Sequence, residues 1–324
     1  MSKQKLPEPN LKPEDLKPGD VLLFPPNPMP EGWVGQAIVL LTKGTVSHTA
    51  LFCGEVGGVM MVAHAAPGGI VSLPFAGLVS SEPGCFVMRH TEKTDLYPVL
   101  KAIDGYADHE NPYPFFNLGI LGLLLLANCF SEKTLRNRIF YDLALLVSVK
   151  LMKAVEKHRF PDKKPMSCSQ FAAQCYTDAG KEYDIRFDKL LIQFGELNAV
   201  DSQTSLLGLL NVGDMPEVPE MSINRDYTPD EEMEIAIRFI EWMSGDGKNK
   251  LTEASELVNE KDLNKVGRRL LTILCQAFTN TRPSSVKEAV ELLATNRNYF
   301  VTPEDLFVNT LNLKNTGYID RTVL

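Results

Sequence analysis

No CxxC or CxxH spacing occurs among the six cysteines of this 324-residue chain, at positions 53, 85, 129, 168, 175 and 275. Neither a zinc site nor a disulfide framework is indicated, and no cofactor is expected. The chain also lacks a long basic run, and its formal net charge is −8. No nucleic-acid partner held through phosphate contacts is expected. The opening residues, Met1-Ser2-Lys3-Gln4-Lys5-Leu6-Pro7-Glu8-Pro9-Asn10, lack the apolar segment of a signal peptide, so the expectation is a protein made in the cytoplasm. Export by a signal-independent route stays open. No apolar run reaches the ~18 residues of a membrane-spanning helix.

What is present is ordinary for a folded protein: 44% hydrophobic and 23% charged residues, in a chain long enough for two domains. Residues 1–16 form a Pro- and Lys-rich lead-in. The fold begins at the turn Lys17-Pro18-Gly19-Asp20, followed by a strand over 21–24 and a short buried helix over 32–41. Strands are predicted near 48–53, 59–65, 70–73 and 85–90, giving a small antiparallel sheet. From Thr94 to His158 the pattern turns helical, with strongly apolar stretches at 115–130 and 139–152. These fit buried helices; the alternative is a helical hairpin, broken at Ser131–Arg138, that lines an acyl-chain groove or dips into a bilayer surface. A Pro- and Met-rich linker is predicted over 212–227. Beyond it Thr228-Pro229-Asp230-Glu231 and Thr302-Pro303-Glu304-Asp305 open helices, with an N-cap Thr, Pro at the first helical position and acids in the first turn. Residues 228–324 are expected to form an all-helical domain for interaction or regulation. The expected fold class is α+β, with a catalytic domain over 17–211.

Two segments point to chemistry. Ser47-His48-Thr49-Ala50-Leu51-Phe52-Cys53 is strand-like and starts with a histidine; Ser167-Cys168-Ser169-Gln170 opens a helix-like run with a cysteine. A thiol hydrolase needs a nucleophilic sulfur, an imidazole to move its proton and a group to orient the imidazole. If Gly54–Gly58 is a five-residue loop, Cys53 pairs with Val59, paired residue numbers sum to 112, and His48 faces His64 directly. One imidazole then serves as base and the other fixes its tautomer. Ser167 and Gln170 fit a capping box that sets Cys168 at the first helical position. There the helix dipole and a cationic neighbour lower thiol pKa values from ~8.5 into the ~3.5–7.5 range, and the Cys168 amide becomes an oxyanion donor. Cysteines 53, 85, 129, 175 and 275 fit structural roles, as do His90, His109 and His158.

At these residues the chain resembles the circularly permuted branch of the NlpC-type papain-like thiol hydrolases, which includes the lecithin:retinol acyltransferase-like enzymes. The matching pieces are Lys17–Phe24, Ser47–Phe52, Val62-Ala63-His64-Ala65 with Gly68-Gly69-Ile70-Val71, and Ser167–Ala172. The likeness covers about residues 17–185. It implies a permuted papain-like fold with Cys168 as nucleophile, His48 as base and His64 as third member. Many members carry an acid where His64 stands, so its role departs from the common pattern. The implied reaction forms a thioester on Cys168 that water then hydrolyses. Unpermuted relatives mostly cut cell-wall peptides, while the permuted branch includes enzymes that release fatty acyl chains. The apolar stretches between histidines and cysteine favour a lipid or membrane-surface substrate, a phospholipase A-like activity suited to an exported bacterial effector, with the tail contacting a protein partner. Peptide or protein-conjugate amides are the alternative, and a catalytically silent binding module is the second.

Overall fold

A computed structural model describes residues 7–29, 31–66, 69–80, 83–107, 116–128, 130–157, 166–192, 205–210, 226–245 and 257–323. Nearly all of the expected linker lies outside the described residues, as do Gly68, His109, Cys129 and His158. The fold is α+β. Its strands are β1 (Val21–Phe24), β2 (His48–Val56), β3 (Val59–Ala66), β4 (Gly69–Pro74), β5 (Gly84–His90) and β6 (Leu313–Asp320). They form one antiparallel sheet in the order β4-β3-β2-β1-β5-β6.

Centrally placed β1 is apolar at every residue because both of its faces are covered. Val21 and Leu23 join one core layer with Leu51, Ala63 and Met88. Leu22 and Phe24 join the opposite layer with Ala50, Phe52 and Val62, under α2 (Phe75–Ser80). Asp20, almost fully buried, ties the turn before β1 to β5. It accepts the Lys17 amide at 2.8 Å and both Nε and a terminal nitrogen of Arg89, at 2.8 and 2.6 Å.

The helices begin with α1 (Trp33–Thr42); α3 (Tyr97–Ala107) follows the sheet's first five strands. Next come α4 (Phe116–Ala127), α5 (Glu132–Leu135), α6 (Arg138–Lys157), α7 (Cys168–Asp178) and α8 (Leu206–Leu209). The last four are α9 (Pro229–Ser244), α10 (Glu260–Thr279), α11 (Val286–Ala294) and α12 (Pro303–Val308). Capping set these starts as expected. Thr228 and Thr302 each accept the amide three residues on, and Glu231 and Asp305 return the bond.

The two apolar stretches are core helices. Ile120, Leu121 and Leu123–Leu126 of α4 are completely buried against α1, α6, α8 and α10. Each such side chain contributes about 1.5–3 kcal/mol by leaving water, and none of the six is left to line an acyl groove. Among the described residues no helix is long and apolar enough to cross a membrane.

The expectation of an all-helical tail is corrected by β6, which pairs with β5 from Gly84↔Asp320 to His90↔Leu313. Its sequence, Leu-Lys-Asn-Thr-Gly-Tyr-Ile-Asp, hides the strand, since a register shift at Val87/Met88 breaks the alternation. Nor do the tail helices stand apart. Leu263, Leu270, Leu274 and Phe278 of α10 share one core with α4 and α6, while α9 packs on α1 and α6. Thus the tail shares its hydrophobic core with the segment before the linker.

Candidate active site

The helix that carries Cys168, the expected nucleophile, starts as the sequence implied. Ser167 Oγ accepts the Gln170 amide at 3.2 Å, and Gln170 Oε1 accepts the Ser167 amide at 2.7 Å. Cys168 is therefore held at the first helical position. Phe171, Ala172, Cys175 and Tyr176 lie with it in the core layer that covers one face of the sheet. At the helix's far end Tyr176 donates its hydroxyl to the Gly19 carbonyl at 2.7 Å, fixing α7 to the turn before β1.

Hydrogen bonds from the Thr49 amide and from the backbone at 168 and 169 reach the Cys168 sulfur. The Thr49 hydroxyl also bears on it and has no well-formed hydrogen bond elsewhere. These donors favour thiolate, but complete burial outweighs them and pushes the thiol up to about 12. This corrects the expected low thiol pKa: the dipole and amides are present, but the cost of burying the charged form exceeds what they return.

The histidines meet, by a different route from the one expected. The hairpin turn is not five residues long. Val56 pairs with Val59, so Gly57-Gly58 is a two-residue turn with φ of 60° and 82°, the positive values that a type I′ turn requires. Paired numbers there sum to 115, and that register would place His48 and His64 on opposite faces. A β-bulge at Cys53 changes the sum to 114, as in Phe52↔Val62 and Leu51↔Ala63. Gly54, with φ of 97°, supplies the backbone conformation that the bulge needs. Continued to β2's first residue, this register sets His48 opposite Ala66, leaving His64 as its diagonal neighbour on the same face. His48 Nε2 and His64 Nδ1 lie 2.8 Å apart, with the rings edge to face. Burial lowers His48 to about 3, helped by the neighbouring His64, and lowers His64 to about 4. Both rings are neutral at physiological pH.

Alternation sends residues 48 and 49 to opposite sides of β2. The His48 ring shares a face with Phe24, 5.8 Å away between centroids, whereas Thr49 faces α7. Ladder pairing between β2 and β3 ends at Leu51↔Ala63, so β2 leaves the ladder before reaching residues 48 and 49. At this open end the sulfur takes the amide of Thr49, next in the chain to His48. The sulfur is thereby held beside Thr49, the residue next to His48 in β2.

Among the described residues, the remaining cysteines and His90 have structural surroundings. Cys85, Cys175 and Cys275 are buried, and burial raises all three thiols; it raises half-buried Cys53 as well, to about 12. His90 Nδ1 accepts the amides of Glu92 and Lys93, while Asn312 meets Nε2 at 3.0 Å.

A cavity of about 170 Å3 lies beside α7, lined by Tyr106, Met166, Gln170, Gln174, Asn296, Asn298 and Tyr299. At 100° per residue, Gln170 and Gln174 point 200° and 240° around the helix from Cys168, so the cavity opens on the other side of α7 from the sulfur. Its wall joins α7 to the tail: Gln174 Oε1 accepts from Asn298 at 3.0 Å, and Gln170 Nε2 donates to the Tyr299 carbonyl at 2.6 Å. These tail partners left no local sequence signal, nor did Thr49's hold on the sulfur. The dipeptide Gly57-Gly58 was a signal for the true turn, being a two-glycine link between strand-like runs. No family model, curated protein or solved structure matches the chain.

Proposed function

We propose that this protein is a cysteine-dependent acyl hydrolase of permuted papain-like design, with Cys168 as nucleophile, His48 as base and His64 as the residue that orients the base. The observation carrying this reading is the Cys168 sulfur bonded to the Thr49 amide, next in the chain to a buried imidazole pair with 2.8 Å between Nε2 and Nδ1. In the productive tautomer His48 Nε2–H donates to His64 Nδ1, which leaves the lone pair on His48 Nδ1 to take a proton.

Because thiol and imidazole are both neutral at rest, a standing thiolate–imidazolium pair is disfavoured. For the reaction the His48 ring turns at the open end of β2 toward α7, and the proton passes from sulfur to His48 Nδ1 as the sulfur–carbon bond forms, while the carbonyl electron pair moves onto oxygen. Amides at the start of α7 stabilise that oxyanion. Collapse of the adduct breaks the bond to the leaving alcohol or amine, which takes the proton from His48. Water deprotonated by His48 then cleaves the thioester, releasing acid and restoring the thiol.

With α4 and α6 in the core, the physical argument for lipid over amide substrates falls away; lipid acyl esters remain a candidate through the resemblance. Mass spectrometry of lipid extracts and muropeptides, each treated with wild type or Cys168→Ala, tests both substrate classes together. Fatty acid or trimmed peptide formed only by wild type supports hydrolysis. No Cys168-dependent product from either extract contradicts it.

A further inference from the structure

The residues given catalytic roles all lie before 170, yet the elements carrying them are tied together from the far end of the chain. Glu304 of α12 is nearly buried, and its Oε2 accepts the amide of Thr45 at 2.6 Å and that of Val46 at 3.2 Å. Those amides belong to the two residues before Ser47-His48. A Cβ added at Gly44 would overlap the same carboxylate, so the backbone there closes directly around it. Six residues before Glu304, Asn298 begins a run that holds α7. Asn298 bonds Gln174, the Tyr299 carbonyl accepts from Gln170, and the Val301 carbonyl accepts the Ser169 hydroxyl at 2.7 Å.

Thus one stretch, 298–304, grips the first turns of the nucleophile's helix at one end and the approach to the base's strand at the other. Gln170 is common to both arrangements, since the side chain that donates to Tyr299 also caps Ser167. Val301 is completely buried, and Thr302 and Asp305 close the capping box that orients Glu304 at the start of α12. A link of this kind fixes a distance, because neither end can move without breaking buried hydrogen bonds.

We propose that Glu304 is a positioning residue that sets His48 relative to Cys168, with residues 298–304 as the clasp holding the two catalytic elements in register. This rests on the hydrolase reading for its rate consequences. Its structural core, control of the imidazole pair by a carboxylate from the tail, does not. Loss of the carboxylate frees the loop over 44–47, and displacement of the base by about 1 Å costs on the order of a hundredfold in rate. A glutamine retains one carbonyl acceptor for the Thr45 amide and so restores most of the function.

The test compares full-length wild type, Glu304→Ala, Glu304→Gln and, as an exposed control on α11, Glu291→Gln. Hydrolysis of p-nitrophenyl acetate is measured beside long-range 1H–15N spectra of 15N-histidine-labelled protein, which report the tautomers of His48 and His64. The expected result for Glu304→Ala is a kcat about tenfold to a hundredfold lower with KM little changed, shifted His48 and His64 nitrogen signals, and near-complete rescue in Glu304→Gln. Unchanged imidazole signals in a folded Glu304→Ala protein would overturn the proposal, even if its melting temperature falls. If wild type fails to turn over the ester, the hydrolase reading fails, and the spectra still decide whether Glu304 controls the pair. Should Glu304→Ala not fold, the same readings on Glu304→Asp, which shortens the reach by one methylene, decide: unaltered signals and kcat contradict the clasp.

Discussion

Residues 17–90 with α7 hold every group assigned to the chemistry, whereas residues 257–323 hold none, yet the second region is as tightly built into the site as the first. The first supplies the proposed reacting atoms; the second supplies the sixth strand, about a third of the helical core and the carboxylate under Thr45 and Val46. A site is therefore not located by its reactive residues alone. What holds them at working separation can come from more than 200 residues away.

The largest effect separates the regions by chemistry. Cys168→Ala is expected to lower the hydrolysis rate on the order of 10⁴-fold or more while leaving the melting temperature near wild type. An equal loss of activity and fold would move Cys168 from the reacting group to the core. Tyr318→Ala asks the reverse question in the tail. Its ring is buried against Phe86 at 5.0 Å and its hydroxyl donates to the Pro83 carbonyl. The expected cost is about 3–5 kcal/mol, read from urea unfolding. The transition followed at Trp33 should coincide with that followed at Trp242, using single-tryptophan variants. Separate transitions would restore the idea of an independent tail domain.

Gly54→Val attacks the bulge within the first region. A β-branched residue at φ 97° costs about 1–2 kcal/mol, and relief by slipping to the register of the turn would part the imidazoles. The histidine tautomer signals should change more than stability does. Acid probes the same imidazole pair without a substitution. The unfolded chain gains protons on histidine below about pH 6.5, while the folded rings stay neutral until about 4 for His64 and about 3 for His48. Their contribution to stability is thus present above pH 6.5 and shrinks as pH falls through this window. Replacing both histidines with phenylalanine should flatten denaturant midpoints between pH 6.5 and 4; an unflattened profile would place the acid sensitivity elsewhere.

Local signals were legible and distant ones were not. Ser167 and Gln170 lie three residues apart, and Thr228 and Thr302 stand beside their prolines, so helix starts follow from short-range chemistry. The His48–His64 contact came from a register of 112 instead of 114, right in outcome because the two share parity. A tight Gly-Gly turn would alone have given the wrong parity, and the bulge at Cys53 restored it. By contrast β6 and Glu304 act through partners fixed only by the whole fold. The thiol's acidity was misjudged for a related reason: its helix position is local information, while its burial is not.

The central claim is that Cys168 forms a covalent acyl intermediate with His48 as its base. Intact and peptide-level mass spectrometry of protein quenched during turnover of p-nitrophenyl octanoate tests it most directly. The account gives one octanoyl group on Cys168 in wild type, none in Cys168→Ala, and a much slower appearance in His48→Ala. Octanoyl groups spread over other side chains, or turnover undiminished in Cys168→Ala, would contradict it.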